Sequence, residues 1–517
     1  MTAQFDKNEV LFSDDDPNYQ ATVINTGVPP PRLNELAQRN ANPRFNKIQQ
    51  HYQQQQHYQQ QQHYQQPYQQ TRQPNTETSA RSGGPEQHGP SATATQTKHS
   101  YRVNIRHRGP EFIRDLSSPN WLRMASDRDD PRGRQANSRL CDIGLVQEID
   151  KLKTALSKHL PLNVFETMGF QINVYAGLES TNFVSGSAVA LGQIDFLTSA
   201  VSMYLDRGSG SADPFLFVDL GSERGGCSEY ILWKAAIAKE SIPVVDDASF
   251  VHGWYFDPHG NGPQEVESNL TNEMHPQCDA PNRLTMLPPA GASTAASSGT
   301  EITSETNIDA FVRHVQSDLP ARSNQAVGID LVVGASCYKQ VDLAMDHEKG
   351  QYTFTLAQTI IALQLLRPGG SFAFKLFDAT TPPTAEMLFI LDACFESMDI
   401  VRPLVTSPTS SERFVVCKGL KGDARWAALH MRTALAKINS GHFKLSHILS
   451  WTRVMNESEF VGSLKAASCA IARIQLDALR NINDIASSRK QLADNSAEQG
   501  NTAARCLEEW GLLQFAK

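Results

Sequence analysis

Between residues 215 and 420 the chain alternates short apolar runs with longer segments of helical period, and this alternation constrains its fold more than any other feature. Residues 215–220 (FLFVDL), 251–256 (VHGWYF), 328–334 (GIDLVVG) and 369–377 (GGSFAFKLF) are each the length of one strand. Apolar residues recur at helical spacing in the segments between them, at 308–317, 352–367 and 384–396. Strands separated by helices imply a mainly parallel sheet covered on both faces. The last two apolar runs, IVRPLV and RFVVCKGL, are joined by a short loop, so the sheet should close with an antiparallel strand. Upstream, 143–158 and 183–205 read as helices.

The flanks differ in composition. Residues 1–100 contain HYQQQQHYQQQQHYQQPYQQ, a His-Tyr-Gln repeat with a six-residue period, followed by Ser/Thr/Gly/Gln-rich sequence. Such a stretch cannot bury enough apolar surface to offset the entropy of ordering, so a disordered Gln/His/Tyr-rich arm is expected. It reads as a solvated tail, with weak prion-like self-association as the sharper alternative. Residues 101–140 form an Arg-rich lead-in that includes Phe112 and Trp121, a mixture suited to phosphates and bases. Asp115, Asp127, Asp129 and Asp130 dilute its charge, and a solvated lead-in is an equal reading. The α/β pattern occupies 141–424, with a Pro/Asn/Ser/Ala-rich surface excursion expected at 258–305. Residues 425–517 read as a helical C-terminal extension with a polar break near 484–503.

Whole-chain properties narrow the function classes. The net charge of −8 over 517 residues disfavours a generic polyanion binder, so any nucleic-acid contact must come from local basic patches. No signal-peptide core follows Met1 and no apolar run is long enough to span a bilayer, so no membrane partner is expected. The eight cysteines are scattered, without C-x-x-C or His/Cys metal spacing. No metal site is expected, and the thiols read as those of a nuclear or cytoplasmic protein.

Chemistry is first suggested by VDLGSERGGCSEY. A strand ending in Asp219, a Gly-bearing turn and a helix start place a ligand at the carboxyl edge of the sheet. Gly225 and Gly226 permit close backbone approach, and the helix start offers N–H groups. A glycine turn of purely structural purpose is the competing reading, and Glu223 and Arg224 are bulky for a loop that hugs a cofactor.

Lys375 stands at the carboxyl end of an apolar strand. Burial disfavours an ammonium, which is how enzymes make a lysine into a base. A lysine reaching solvent from a strand end is the alternative. Glu412 opens the strand expected beside it, placed either to orient Lys375 or to form an ordinary surface ion pair.

Several segments, in order, resemble the FtsJ-like ribose 2′-O-methyltransferases, and most closely the cap (nucleoside-2′-O)-methyltransferases of eukaryotes: SEYILW after the paired glycines, EITSETNIDAFV before DLVV, LLRPGGSFAFKLFD, SERFVVCKGL, and finally CLEEWG. The resemblance runs over residues 180–517. It implies a Rossmann-like class I sheet that uses S-adenosylmethionine to methylate the ribose 2′-OH beside an m7G cap. Capped mRNA or another RNA would be the partner, with the capping or transcription machinery, in the nucleus and also the cytoplasm. Asp219, Gly221, Gly225, Gly226, Ser228 and Glu229 would face the cofactor.

The family's Lys–Asp–Lys–Glu catalytic set carries over in part. Lys375 and Glu412 match its second Lys and its Glu. Ala190 stands at the place of the first Lys, Ala335 at that of the Asp, and Gly186 replaces an Arg. In the cofactor loop, Ser222-Glu223-Arg224 replace small-Gly-Pro, and Glu223 would crowd the methionine moiety and face its carboxylate. Lys339 and Asp342 could substitute only through a register shift in their loop. The resemblance thus implies a family member whose methyl transfer is impaired or lost, with an active cap 2′-O-methyltransferase as the rival expectation.

Overall fold

The computed structural model describes residues 101–105, 139–179, 181–205, 214–240, 250–256, 274–287, 302–322, 328–336, 346–422, 424–440, 447–487 and 496–515. All of them fall within one compact unit spanning 91–517. The arm expected at 1–100, residues 106–138 of the lead-in, and Lys339 and Asp342 lie outside the described residues.

Eight strands form one sheet: β1 (Tyr101–Ile105), β2 (Phe215–Leu220), β3 (Val251–Phe256), β4 (Leu284–Leu287), β5 (Ile329–Gly334), β6 (Leu366–Leu376), β7 (Phe395–Arg402) and β8 (Arg413–Leu420). Their order is β1-β7-β8-β6-β5-β2-β3-β4. Strands β2 to β6 pair in parallel. Strand β8 runs antiparallel between β6 and β7, and β1 is antiparallel to β7. The mainly parallel sheet with an antiparallel closing strand is therefore observed.

The longer helices are α1 (Ile143–Ser157), α2 (Leu162–Ile172), α3 (Gly186–Thr198), α4 (Gly226–Glu240), α5 (Glu305–Arg322), α6 (His347–Leu365), α7 (Pro382–Cys394), α8 (Arg425–Asn439), α9 (Ser458–Ala486) and α10 (Ser496–Glu509). Every residue of β2, β3 and β5 is buried, as a parallel strand covered on both faces must be. One apolar cluster joins Phe311, Leu356, Ile360, Phe372 and Phe389; a second joins Val189, Ile194, Phe217, Trp233 and Phe414. Each such side chain contributes roughly 1.5–3 kcal/mol on burial.

Three local expectations are corrected. The helix expected over 183–205 breaks at Ser199, which takes a left-handed φ of 58°. The Asp195 carboxylate holds the break by accepting the N–H groups of Val201 and Ser202 and the hydroxyls of Ser202 and Tyr230. The excursion at 258–305 contributes strand β4, although 257–273 and 288–301 lie outside the described residues. The lead-in contributes β1, which pairs with β7. Arg102 on β1 reaches buried Asp399 at 3.1 Å and the carbonyl of Leu197. Lys418 donates to the carbonyl of Thr198 at 2.8 Å, so two cations sit at the carbonyl end of α3.

The C-terminal extension packs α9 against α1, α2 and β1. Helix α10 crosses Gly177 so closely that a Cβ there would lie 2.6 Å from the carbonyl oxygen of Gln499. Leu512 then lies over Gly192 of α3. The extension thus braces α3, whose N-terminus meets the candidate site.

Among the described residues, no helix is long and apolar enough to cross a membrane, no His/Cys/Asp/Glu group could hold a metal, and the cysteines are free thiols.

Candidate functional site

Asp219, the fifth residue of β2, is fully buried and organises the turn after it. Its carboxylate accepts the N–H and hydroxyl of Ser222 at 2.9 and 2.6 Å and those of Ser228 at 3.0 and 2.8 Å. Burial pushes the carboxyl up against the pull of these four bonds. Gly221, Arg224 and Gly225 all take positive φ, at 78°, 50° and 69°. Arg224 is the non-glycine among them, and a side chain in that region carries strain.

The N–H groups at the start of α4 are committed inside the turn. That of Gly226 donates to the Glu223 carbonyl, that of Cys227 to the Ser222 hydroxyl at 3.1 Å, and that of Ser228 to Asp219. The helix start expected to offer free donors therefore spends them on its own loop. Gly226 is close to another part of the chain: a Cβ there would lie 2.2 Å from Ser185 Oγ and 2.5 Å from Ser187 Oγ. Those two hydroxyls donate to the Glu223 carbonyl at 2.8 and 3.3 Å. The start of α3 fills the space beside the second glycine.

Glu229 lies one turn into α4 and is fully buried. Its two oxygens accept the N–H groups of Val184 and His275 at 2.8 and 3.0 Å, joining two distant loops. Burial pushes its carboxyl up to about 7. Tyr255 on β3 donates to the Ser222 carbonyl and supports the turn from below.

On the other side of the sheet centre, β6 and β8 place Lys375 opposite Phe414. Lys375 Nζ lies 3.4 Å from Glu412 Oε2 and 5.9 Å from the centroid of the Phe414 ring. Their side chains are 17% and 20% exposed, so the pair is half-sheltered at the sheet edge. Glu412 follows the loop 403–411, just before β8. This loop is held by the Gln193 side chain on Leu404 N at 2.7 Å and by Gln475 of α9 on the Thr409 carbonyl at 2.8 Å.

Ala190 and Ala335 are each 4% exposed and belong to the second apolar cluster. Apolar packing occupies both places. Glu179 stands nearby, its Cγ 3.8 Å from where a Gly186 Cβ would be. Its surface is exposed, yet desolvation of the carboxyl, then the charges of Glu223 and Glu412, push it up to about 7. Among the described residues, the carboxylates of Glu179, Glu223 and Glu412 therefore accompany Lys375 around this edge. Sequence reading missed Ser185, Ser187 and Glu179. The Glu223 carbonyl that both serines bond lies more than thirty residues away, and no local pattern announces the contact.

Residues 200–420 match the model of the FtsJ-like methyltransferase family. The chain carries an FtsJ-like methyltransferase domain. It is homologous to cap-specific mRNA (nucleoside-2′-O-)-methyltransferase 1 of several eukaryotes. The Drosophila melanogaster protein is 23% identical over 393 residues, covering 72% of this chain and 44% of that protein. The Dictyostelium discoideum protein is 25% identical over 385 residues, covering 73% and 47%. The Danio rerio protein is 28% identical over 165 residues, covering 31% and 20%. This chain thus spans less than half the length of these relatives. The FtsJ-like domain contains the turn after β2, Ala335, Lys375 and Glu412; Ala190 lies just before it.

Proposed function

We propose that this chain is a cap methyltransferase homologue that binds capped RNA, or a partner in RNA capping, and has lost efficient methyl transfer. The observation that carries this reading is the burial of Ala190 and Ala335 within an apolar cluster, where the family resemblance calls for Lys and Asp. A ribose hydroxyl is a poor nucleophile and needs a positioned base. Here Lys375 and Glu412 form an ion pair, and Ala190 and Ala335 stand at the other two positions.

The turn supports the same reading. S-adenosylmethionine fits it poorly, because the first N–H groups of α4 are bonded within the loop and Ser185 and Ser187 fill the space over Gly226. The exposed Glu223 adds negative charge where the cofactor's carboxylate would approach. Removing one member of a catalytic unit often costs orders of magnitude in rate. The role this reading assigns is binding of capped RNA in the nucleus without turnover.

A second reading is an active S-adenosylmethionine-dependent enzyme converting cap-0 to cap-1 mRNA. It rests on the Lys375–Glu412 contact at 3.4 Å and on Asp219. Incubating the full chain with radiolabelled S-adenosylmethionine and cap-0 RNA separates the two. The first reading expects no label in RNA above a Lys375→Ala control; label well above that control supports the second.

A further inference from the structure

Cys141, in the bend that leads into α1, and Cys469 on α9 are 328 residues apart in sequence, yet their sulfurs lie 3.9 Å from each other. The Cys469 sulfur also accepts the N–H of Asp142 at 3.3 Å, so it rests against the backbone of the residue that caps α1. A disulfide needs its sulfurs at about 2.05 Å and its two backbones close together. The remaining approach of about 2 Å is the scale of a rotamer change at one cysteine. Buried Cys227 and Cys278 point instead at carbonyls, those of Ser187 at 3.8 Å and Glu229 at 3.5 Å.

The pair is asymmetric. Cys141 is 1% exposed and Cys469 is 7% exposed, so Cys469 is the sulfur nearer solvent. Burial, then the charge and hydrogen bond of Cys469, push the Cys141 thiol up to about 12, so Cys141 holds its proton. The thiolate is the nucleophile in thiol chemistry, and access decides which sulfur meets a small oxidant first. That order makes Cys469 the first to react and Cys141 the one that closes the bond.

We propose that Cys141 and Cys469 form a reversible redox site, closed to a disulfide by a hydroperoxide. The Cys469 thiolate attacks one peroxide oxygen, the O–O bond breaks, and the departing hydroxide takes up the proton that Cys469 released. Cys469 is then a sulfenic acid. The Cys141 sulfur attacks the Cys469 sulfur, the S–O bond breaks, and the second hydroxide leaves as water with the Cys141 proton. Two thiols lose two electrons in all, and one hydrogen peroxide becomes two waters. A dithiol reverses the bond by exchange. The disulfide would tie α9 to the start of α1, which it also meets through Arg480 and Glu148 at 2.6 Å. Gln475, farther along α9, bonds the Thr409 carbonyl, so oxidation would fix the extension where it braces the loop before Glu412.

The experiment titrates the native full chain with hydrogen peroxide and quenches it with N-ethylmaleimide in denaturant. Digestion without reductant and mass spectrometry then map every cysteine. The expected product is one peptide pair joined through Cys141 and Cys469, lighter by two hydrogens than the separate peptides and lost on treatment with dithiothreitol. It should form at peroxide doses that leave Cys227 and Cys278 fully alkylated. In Cys141→Ser, dimedone should label Cys469 as the sulfenic acid; in Cys469→Ser, Cys141 should stay reduced. Two results would overturn the proposal: Cys141 and Cys469 both still alkylated at doses that oxidise half-buried Cys506, or Cys469 joined to several cysteines in similar yield. The parent protein alone gives these results, so the test stands even where a serine variant does not fold.

Discussion

The Ser185 hydroxyl donates to the Glu223 carbonyl at 2.8 Å, latching the start of α3 onto the turn that follows β2. These residues are 38 positions apart, and their contact explains why position 226 must be glycine. A methyl at 226 would meet Ser185 Oγ at 2.2 Å, Ser187 Oγ at 2.5 Å and the Ala188 nitrogen at 3.0 Å. Gly226→Ala is expected to cost about 1–3 kcal/mol by overpacking. Adding Ser185→Ala and Ser187→Ala should restore part of the loss, measured as the urea midpoint. A Gly226→Ala protein as stable as the parent would mean that the latch is not closed in solution.

Ala190 is 4% exposed among apolar neighbours. Ala190→Lys therefore buries an ammonium, and a loss of roughly 2–5 kcal/mol is expected. Ala190→Leu should also destabilise, by overpacking alone, and to a smaller extent. Chemical denaturation of the three proteins checks this. A lysine tolerated at no cost would show that the site remains open to charge.

Stability should fall as pH rises toward neutrality. The buried Glu229 carboxyl is raised from 4.5 to about 7, with burial as the cause. The folded state then holds its proton more tightly than the unfolded chain. This contribution is complete below about pH 4.5 and is lost as pH rises through about 7, at roughly 1.4 kcal/mol per pH unit within that window. Urea unfolding from pH 5 to 8 reads the slope. In Glu229→Gln the slope should flatten, and the protein should start less stable because the amide nitrogen cannot accept a backbone N–H. An identical slope in both proteins would assign the effect to another group.

Gln475 ties the C-terminal extension to the loop that bears Glu412, through the Thr409 carbonyl at 2.8 Å. Gln475→Leu should cost about 1 kcal/mol, the scale of one lost hydrogen bond. Amide exchange across 403–411 should accelerate while the rest of the sheet is unchanged. Exchange that rises uniformly would show that α9 supports the fold rather than this loop.

Much of the fold was legible because it follows from period. FLFVDL and DLVVG are continuous apolar runs, and parallel strands covered on both faces have that pattern. Strands β1 and β4 were missed for a physical reason. YRVNI alternates correctly but lies in an Arg-rich segment and depends on a partner, β7, almost three hundred residues away. LTML is four residues long at a sheet edge. At the site, the proximity of Lys375 and Glu412 was readable from adjacent antiparallel strands. Glu229 was not: its bonds to Val184 and His275 join loops that only tertiary folding brings together.

The first N–H donors of α4 are bonded within the protein, to the Ser222 hydroxyl and the Asp219 carboxylate, which should leave S-adenosylmethionine without them. Calorimetric titration of the full chain with S-adenosylmethionine measures this. No saturable heat is expected up to about 1 mM ligand, a binding free energy weaker than roughly −4 kcal/mol. One-to-one binding with a micromolar dissociation constant would contradict it.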